Sequence, residues 1–214
     1  MHDGWVDPGV ASEFPELRLR SVDVDARAIR SSPEVRDQLR ELSDRLRGPQ
    51  AVMLRRRPVP EAYRIFFRHI GLDPDIVRTP VEALVLERLR AGGFASRNSL
   101  DDALTVAIVE TGVGVWALDA EQMNGRLGIR VGARDERFGR ERDAPTVPDG
   151  RLVVADEAGA VAVLFGELAP GHCVTKRTVR MRLFAVQVAG VPSIHVEEAL
   201  WRCGQLLEIL RCST

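Results

Sequence analysis

The residues of this chain whose types and spacing could do chemistry fall in three short stretches. The first is RNSLDDALTV, Arg97 to Val106, where Asp101 and Asp102 stand side by side just after Asn98 and Ser99. Successive residues on a helix point about 100° apart, so this pair cannot clamp one metal from a single face. It can cap a helix and stabilise its dipole, or border a pocket where the free N–H groups of the helix start hold a carboxylate or phosphate. The second is GELAPGHCVTKRTVR, Gly166 to Arg180, which sets His172 next to Cys173. A base beside a thiol suggests a nucleophile pair, yet neighbours on an extended strand face opposite sides. Lys176, Arg177 and the hydroxyls of Thr175 and Thr178 could instead hold an anion or a nucleic-acid backbone, or form a solvated turn. The third is MLRRRPVPEAY, whose consecutive Arg55, Arg56 and Arg57 precede Tyr63 and Phe66. Such a patch could grip phosphate while an aromatic ring stacks on a base, or simply be wet surface.

Other chemistries find no support. No GxGxxG or GxxxxGK[ST] string occurs, which disfavours nucleoside triphosphate chemistry. Cys173, Cys203 and Cys212 form no CxxC pair and are odd in number, which fits reduced thiols better than disulfides and gives no zinc site. No metal or cofactor is expected. Thirty basic and thirty-one acidic residues give a formal charge of -1, so any nucleic-acid surface must be local. Lys176 is the only lysine, and this arginine bias reads as coding preference as much as function. The opening MHDGWVDPGV lacks a basic segment before an apolar run, and no apolar run reaches membrane-spanning length. A cytoplasmic protein without membrane contact is the expectation.

The elements that must position these residues follow from pattern. The 214 residues suit one sizeable α/β core, with residues 1–30 as an N-terminal arm and 31–214 as a single domain. Alternation in LRLRSVDVDARAI predicts an opening strand. SSPEVRDQLRELSDRLRG predicts a helix capped by Ser32, with Val35, Leu39, Leu42 and Leu46 on its buried face. VPEAYRIFFRHIG predicts a second, with Tyr63, Phe66, Phe67 and Ile70 inward and Gly71 as its stop. TPVEALVLERLRAGG predicts a third, with Thr79 and Glu82 as capping box. A fourth begins at RNSLDDALTV, with Ser99 and Asp102 at capping-box spacing, and ends at Gly112. Then VGVWALD, RLGIRVG, RLVVAD, GAVAVLF and TVRMRLFAVQV read as strands, with ADEAGA as a hairpin turn. A closing helix is expected from about Ser193 to Arg211, with Val196, Leu200, Cys203, Leu207 and Leu210 inward. Helices first and strands second argue for an α+β fold.

The order of these pieces resembles the B3/B4 domain of the bacterial phenylalanyl-tRNA synthetase β subunit, and especially its free-standing relatives. The resemblance runs from about Arg57 to Leu210, through PEAYRIFFRHIGLDP, TPVEALVLERLRAGG, NSLDDALTVAIVETG, VWALDAEQMNGRLGIRVGARDERF and RLVVADEAGAVAVLFGE. Asn98 and Asp102 fall on the family's Asn-x-x-x-Asp; Asp119, Gly125, Arg130 and Glu136 fall on its aspartate, glycine, strand arginine and acidic turn residue. The resemblance implies an α+β fold built around a β-sandwich of unusual topology with helices packed outside, in three layers. In the synthetase the domain houses a site that hydrolyses tyrosine wrongly attached to the phenylalanine tRNA. Gly166 sits at that pocket's glycine. Trp116 stands where the family has a histidine, Phe184 where a strand glutamate meets the tyrosine hydroxyl, and a closing helix replaces the family's Thr-Asp-Ala segment. Tyrosine editing in that form does not carry over, and a pocket lined by Trp116 and Phe184 would be apolar.

The resemblance therefore implies a stand-alone B3/B4-like domain that binds tRNA or an aminoacyl-type ligand in a cleft between helices and sandwich. Asn98, Asp102, Trp116, Asp119, Arg130, Gly166, His172 and Thr175 are the candidate ligand-binding residues, and Arg55, Arg56, Arg57, Lys176 and Arg177 the candidate RNA contacts. Two alternatives stay open: a trans-editing hydrolase of mischarged aminoacyl-tRNA, and a small-molecule or protein-interaction module that kept only the fold.

Overall fold

The computed structural model describes residues 1–139 and 144–208. The chain opens with two short strands, β1 (His2–Asp3) and β2 (Trp5–Val6), then the one-and-a-half-turn helix α1 (Pro8–Glu13). Asp7 caps α1 by accepting from Gly9 N and Val10 N. The expected opening strand is β3 (Arg18–Val24). In α2 (Pro33–Arg45) the Ser32 hydroxyl accepts from Val35 N, and Val35, Leu39 and Leu42 are buried. The short α3 (Gly48–Leu54) was not expected, since it buries only Ala51 and Leu54 and so shows no helical period. α4 (Pro58–His69) buries Tyr63, Phe66 and Phe67, and α5 (Pro80–Ala91) starts at the expected box, Glu82 accepting from Thr79 N at 3.3 Å and from its hydroxyl at 2.8 Å.

α6 (Ser99–Thr111) corrects one expectation: the cap is Asn98, not Ser99. Asn98 Oδ1 accepts from Leu100 N and Asp101 N, both at 3.0 Å, and its Nδ2 donates to Asp101 at 2.8 Å. Thus Asp101, not Asp102, completes the helix start. After Gly112, whose φ of 80° closes the helix in the left-handed region, come β4 (Val115–Asp119), a 3-10 turn, β5 (Gly128–Val131), β6 (Leu152–Ala155), β7 (Ala160–Val163) and β8 (Met181–Gln187). The closing helix is α7 (Ser193–Glu208), with Val196, Leu200, Cys203 and Leu207 buried; Leu210 and Arg211 lie outside the described residues.

The strands form two four-stranded sheets, in the orders β1-β3-β8-β4 and β2-β5-β6-β7. All pairings are antiparallel except β2 with β5. β8 lies centrally, and Leu183 to Val186 are buried in succession, so both faces of this sheet are covered. α7 packs on one face, against β3 and β8, with α6 beside it and α2 and α5 against α6. Ile129, Val154 and Val161 of the second sheet share the main core with Leu183 and Ala185 of the first. The architecture is α+β, two sheets with helices packed against them, as expected.

Candidate functional site

At the start of α6, Asp102 is only 1% exposed. Its carboxylate accepts from the Ser31 hydroxyl, from the Ser96 hydroxyl at 2.6 Å and from Arg97 N at 2.9 Å. These donors come from the segment before α2 and the loop before α6, so Asp102 ties two connections to a helix end. Only a small space of about 40 Å³ borders Asp101 and Asp102, against α5 residues such as Leu84 and Arg88.

Trp116 and Phe184 face each other across the β4–β8 ladder, with their rings stacked at 5.6 Å and 15°. Phe184 is 2% exposed. Phe165 makes T-shaped ring pairs with Trp116 and Tyr63, centroids 5.8 and 5.7 Å apart, with Phe66 and Phe67 also in contact. A Cβ at Gly114 would lie 2.6 Å from Trp116 and 2.8 Å from Pro80, so glycine there lets the indole fold against its own strand start. Trp116 and Phe184 thus fill one another's space as an aromatic core.

The open space lies on the other side of Phe165. A cavity of about 360 Å³ is lined by Phe14, Ile70, Leu72, Val77, Val131, Leu152, Val163, Phe165 and Gly166, with Glu13, His69 and Arg151 at its polar edge. Phe165 holds a φ of 60°, a left-handed conformation that costs a side-chain-bearing residue roughly 1–2 kcal/mol. The turn of Leu164 to Gly166 fixes it, with Gly166 N donating to Val163 O at 2.9 Å. The strained residue therefore sits where the aromatic core meets the cavity, a placement common at ligand sites.

The remaining candidates gather at the other end of the β6–β7 hairpin, about 13 Å away for strands of four residues. From Gly166 the chain runs back along β7, through Leu168 paired with Ala162, to His172. His172 is 3% exposed and its carbonyl accepts from Asp119 N at 2.9 Å. Asp119 Oδ2 accepts from the Thr178 hydroxyl at 2.5 Å, and that hydroxyl accepts from Thr175 N at 3.0 Å. Arg130 makes a two-pronged ion pair with Glu136, at 2.7 and 2.5 Å, and Glu136 also accepts from Ala133 N and Ala160 N. Hydrogen bonds from Arg130 hold the Glu136 carboxyl below its usual range, and those bonds raise Arg130. A second cavity, about 380 Å³, is lined here by Glu136, Arg137, Asp156 and His172 together with small residues of the hairpin turn such as Ala158 and Gly159. Cys173 is exposed and His172 buried, as their opposite facing predicts, and partial desolvation of the Cys173 sulfur pushes its thiol up rather than activating it.

Gly166 and His172 therefore line different cavities. The basic residues divide likewise. Arg55, Arg56 and Arg57 are exposed between α3 and α4, beside the C-terminal end of α6, where Pro60 approaches Gly112. Lys176 and Arg177 are exposed in the turn fastened to Asp119, at the far end of β4. Arg55 lies 4.0 Å from Asp75, in the loop that also supplies Val77 to the first cavity. Among the described residues no cluster of three or more His, Cys, Asp or Glu could hold a metal ion, and no helix is long and apolar enough to cross a membrane.

Several lining residues escaped sequence reasoning. Glu13 and Phe14 precede the stretch that carries the resemblance, and His69 was not singled out in the helix whose apolar stripe is Tyr63, Phe66, Phe67 and Ile70. The Phe165–Gly166 pair was the one usable signal, since a glycine at a strand end permits a tight turn. No protein-family model matches the chain. Two curated relatives do: the phenylalanine–tRNA ligase β subunit of Photorhabdus laumondii, 34% identical over 86 residues, and that of Colwellia psychrerythraea, 30% identical over 116 residues. These stretches are 37% and 53% of this chain and 10% and 14% of the two relatives, so the likeness spans only a small part of each ligase subunit. On that basis, part of this chain is similar in sequence to part of the β subunit of phenylalanine–tRNA ligase.

Proposed function

We propose that the protein is a B3/B4-like ligand-binding domain, with its described core one unit, which takes an aminoacyl-type group in the 360 Å³ cavity beside Phe165 and Gly166. The observation that carries this reading is the cavity itself, between helices and sheet, apolar on its walls and polar at one edge. Its volume falls within the usual range of small-molecule sites, roughly 300–1,000 Å³. The apolar wall of Ile70, Leu72, Val163 and Phe165 suits a side chain, and Arg151 and His69 at the edge suit the polar remainder. The sequence likeness to a tRNA ligase subunit supports an aminoacyl class of ligand. In this reading Gly166 is the pocket residue, Trp116 and Phe184 back the cavity through Phe165, and Asn98, Asp102, Asp119, Arg130 and Thr175 hold the frame. His172 lies at the second cavity.

A tRNA carrying that group would meet Arg55, Arg56 and Arg57, exposed and contiguous, while Lys176 and Arg177 are a separate contact. A panel of non-hydrolysable 3′-aminoacyl-adenosine amides, titrated by calorimetry, tests the ligand class. At least one aromatic or aliphatic member binds if the reading holds, and binding by none of them overturns it. For the RNA contact, Arg55→Ala/Arg56→Ala/Arg57→Ala should weaken tRNA binding and flatten its dependence on salt by up to about three phosphate contacts. Unchanged affinity and slope would remove these residues from the interface.

A further inference from the structure

A third cavity, about 430 Å³, adjoins the first and shares Glu13, Phe14 and His69 with it. Its floor is apolar, built from Leu17, Ala62, Ile65 and Phe66. Phe14 stands between the two spaces, its ring edge-on to Phe66 at 5.1 Å. Glu13 and Glu16 stand at its rim, and neither is ion-paired or hydrogen-bonded through its side chain among the described residues. The cation nearest in sequence, Arg18, is turned to the chain itself, donating to the Pro15 and Leu17 carbonyls at 2.8 Å each. The space thus combines two aromatic side chains, aliphatic ones and two uncompensated carboxylates, with His69 as the only basic residue lining it among the described residues.

We propose that this cavity is a separate binding site for an apolar organic cation: an aryl- or alkyl-ammonium group whose body lies on Ile65 and Phe66 and whose charge meets Glu13 and Glu16. Charge complementarity selects the ligand. A carboxylate of the same shape would face two like charges, and a neutral molecule would gain only the apolar contact.

The site is independent of the aminoacyl reading, because Glu16, Ile65 and Ala189 line only this cavity and Val131 only the first. The test titrates phenethylamine and 3-phenylpropionate against the full chain by calorimetry. Phenethylamine is expected to bind and 3-phenylpropionate to bind at least tenfold more weakly. Glu13→Gln/Glu16→Gln, nearly isosteric changes at exposed positions, should cut amine affinity at least tenfold. Ala189→Trp, also at an exposed position, should block the amine while leaving aminoacyl-adenosine amides unaffected. Val131→Trp should leave amine binding unchanged. Equal binding of amine and carboxylate, or amine binding indifferent to the double substitution, would overturn the proposal. So would binding by neither probe, including the case in which the face proves to be covered by another protein.

Discussion

Asp102 and Glu136 are carboxylates whose oxygens are occupied by the fold, and their chemistry is that of fasteners. Replacing Asp102 by Ala leaves the buried Ser31 hydroxyl without its acceptor, while the Ser96 hydroxyl and the Arg97 N–H, on exposed residues, can turn to water, which together should cost about 2 kcal/mol. Urea unfolding of Asp102→Ala measures this, and a loss below about 1 kcal/mol would contradict the assignment. Glu136 should show itself through pH. Its carboxyl is held below its ordinary value of 4.5 chiefly by hydrogen bonds from Arg130, and Asp23 lies below 3.8 through its hydrogen bonds with Arg182. The unfolded chain therefore binds more protons than the native one in that range. The contribution is complete above the ordinary values and disappears as pH falls through the lowered ones. Melting temperature should drop as pH falls below 4.5, and Glu136→Gln should be less stable at neutral pH with a shallower acid dependence. An unaltered profile would show that the pair contributes nothing. In the sequence Asp102 was visible as a special residue, but its role as an acceptor inside the fold was not, because its partner Ser31 lies far away in sequence.

Among the elements, α4 and α5 are joined by a charged side chain. Arg64, 5% exposed, pairs with Glu82 at 2.7 Å and with Asp75 at 3.0 Å, and Glu82 is also the capping residue of α5. Arg64→Ala leaves the nearly buried Glu82 carboxylate without its cation and should destabilise by about 3–5 kcal/mol. The double change Arg64→Met/Glu82→Gln should recover part of the loss, because no bare charge remains. Chemical denaturation of both variants checks the pair, and equal losses in the two would sink the argument. The same elements show what pattern can reveal. α2, α4, α5 and the strands from β3 to β8 announced themselves by caps, periods and glycine punctuation. β1 and β2, of two residues each, and the short helices α1 and α3 did not, because a period needs more residues than they have. Their placement is decided by long-range pairing: Trp5 and Val6 become strand only against Gly128 and Ile129.

At the scale of the whole molecule, the two sheets and the helices were legible as α+β, whereas the site was not legible as one place. Residues that look clustered in sequence, Gly166 to Arg177, run along β7 and end at opposite ends of its hairpin. Aromatic positions that suggested a pocket, Trp116 and Phe184, stack on each other and leave the open space beyond Phe165. Phe14, outside any motif, and His69, never singled out within its helix, border that space because the end of α1 and the end of α4 both reach it. The central claim is that this cavity receives an aminoacyl-type group. Val131 is 48% exposed at the cavity wall, so Val131→Trp should fill the space without disturbing the core. The most direct measurement is calorimetric titration of the tightest aminoacyl-adenosine amide against the native protein and this variant. Binding to the native protein and at least a tenfold loss in Val131→Trp is the result expected. Equal affinity for both, with the variant's melting temperature unchanged, would place the ligand elsewhere and contradict the account.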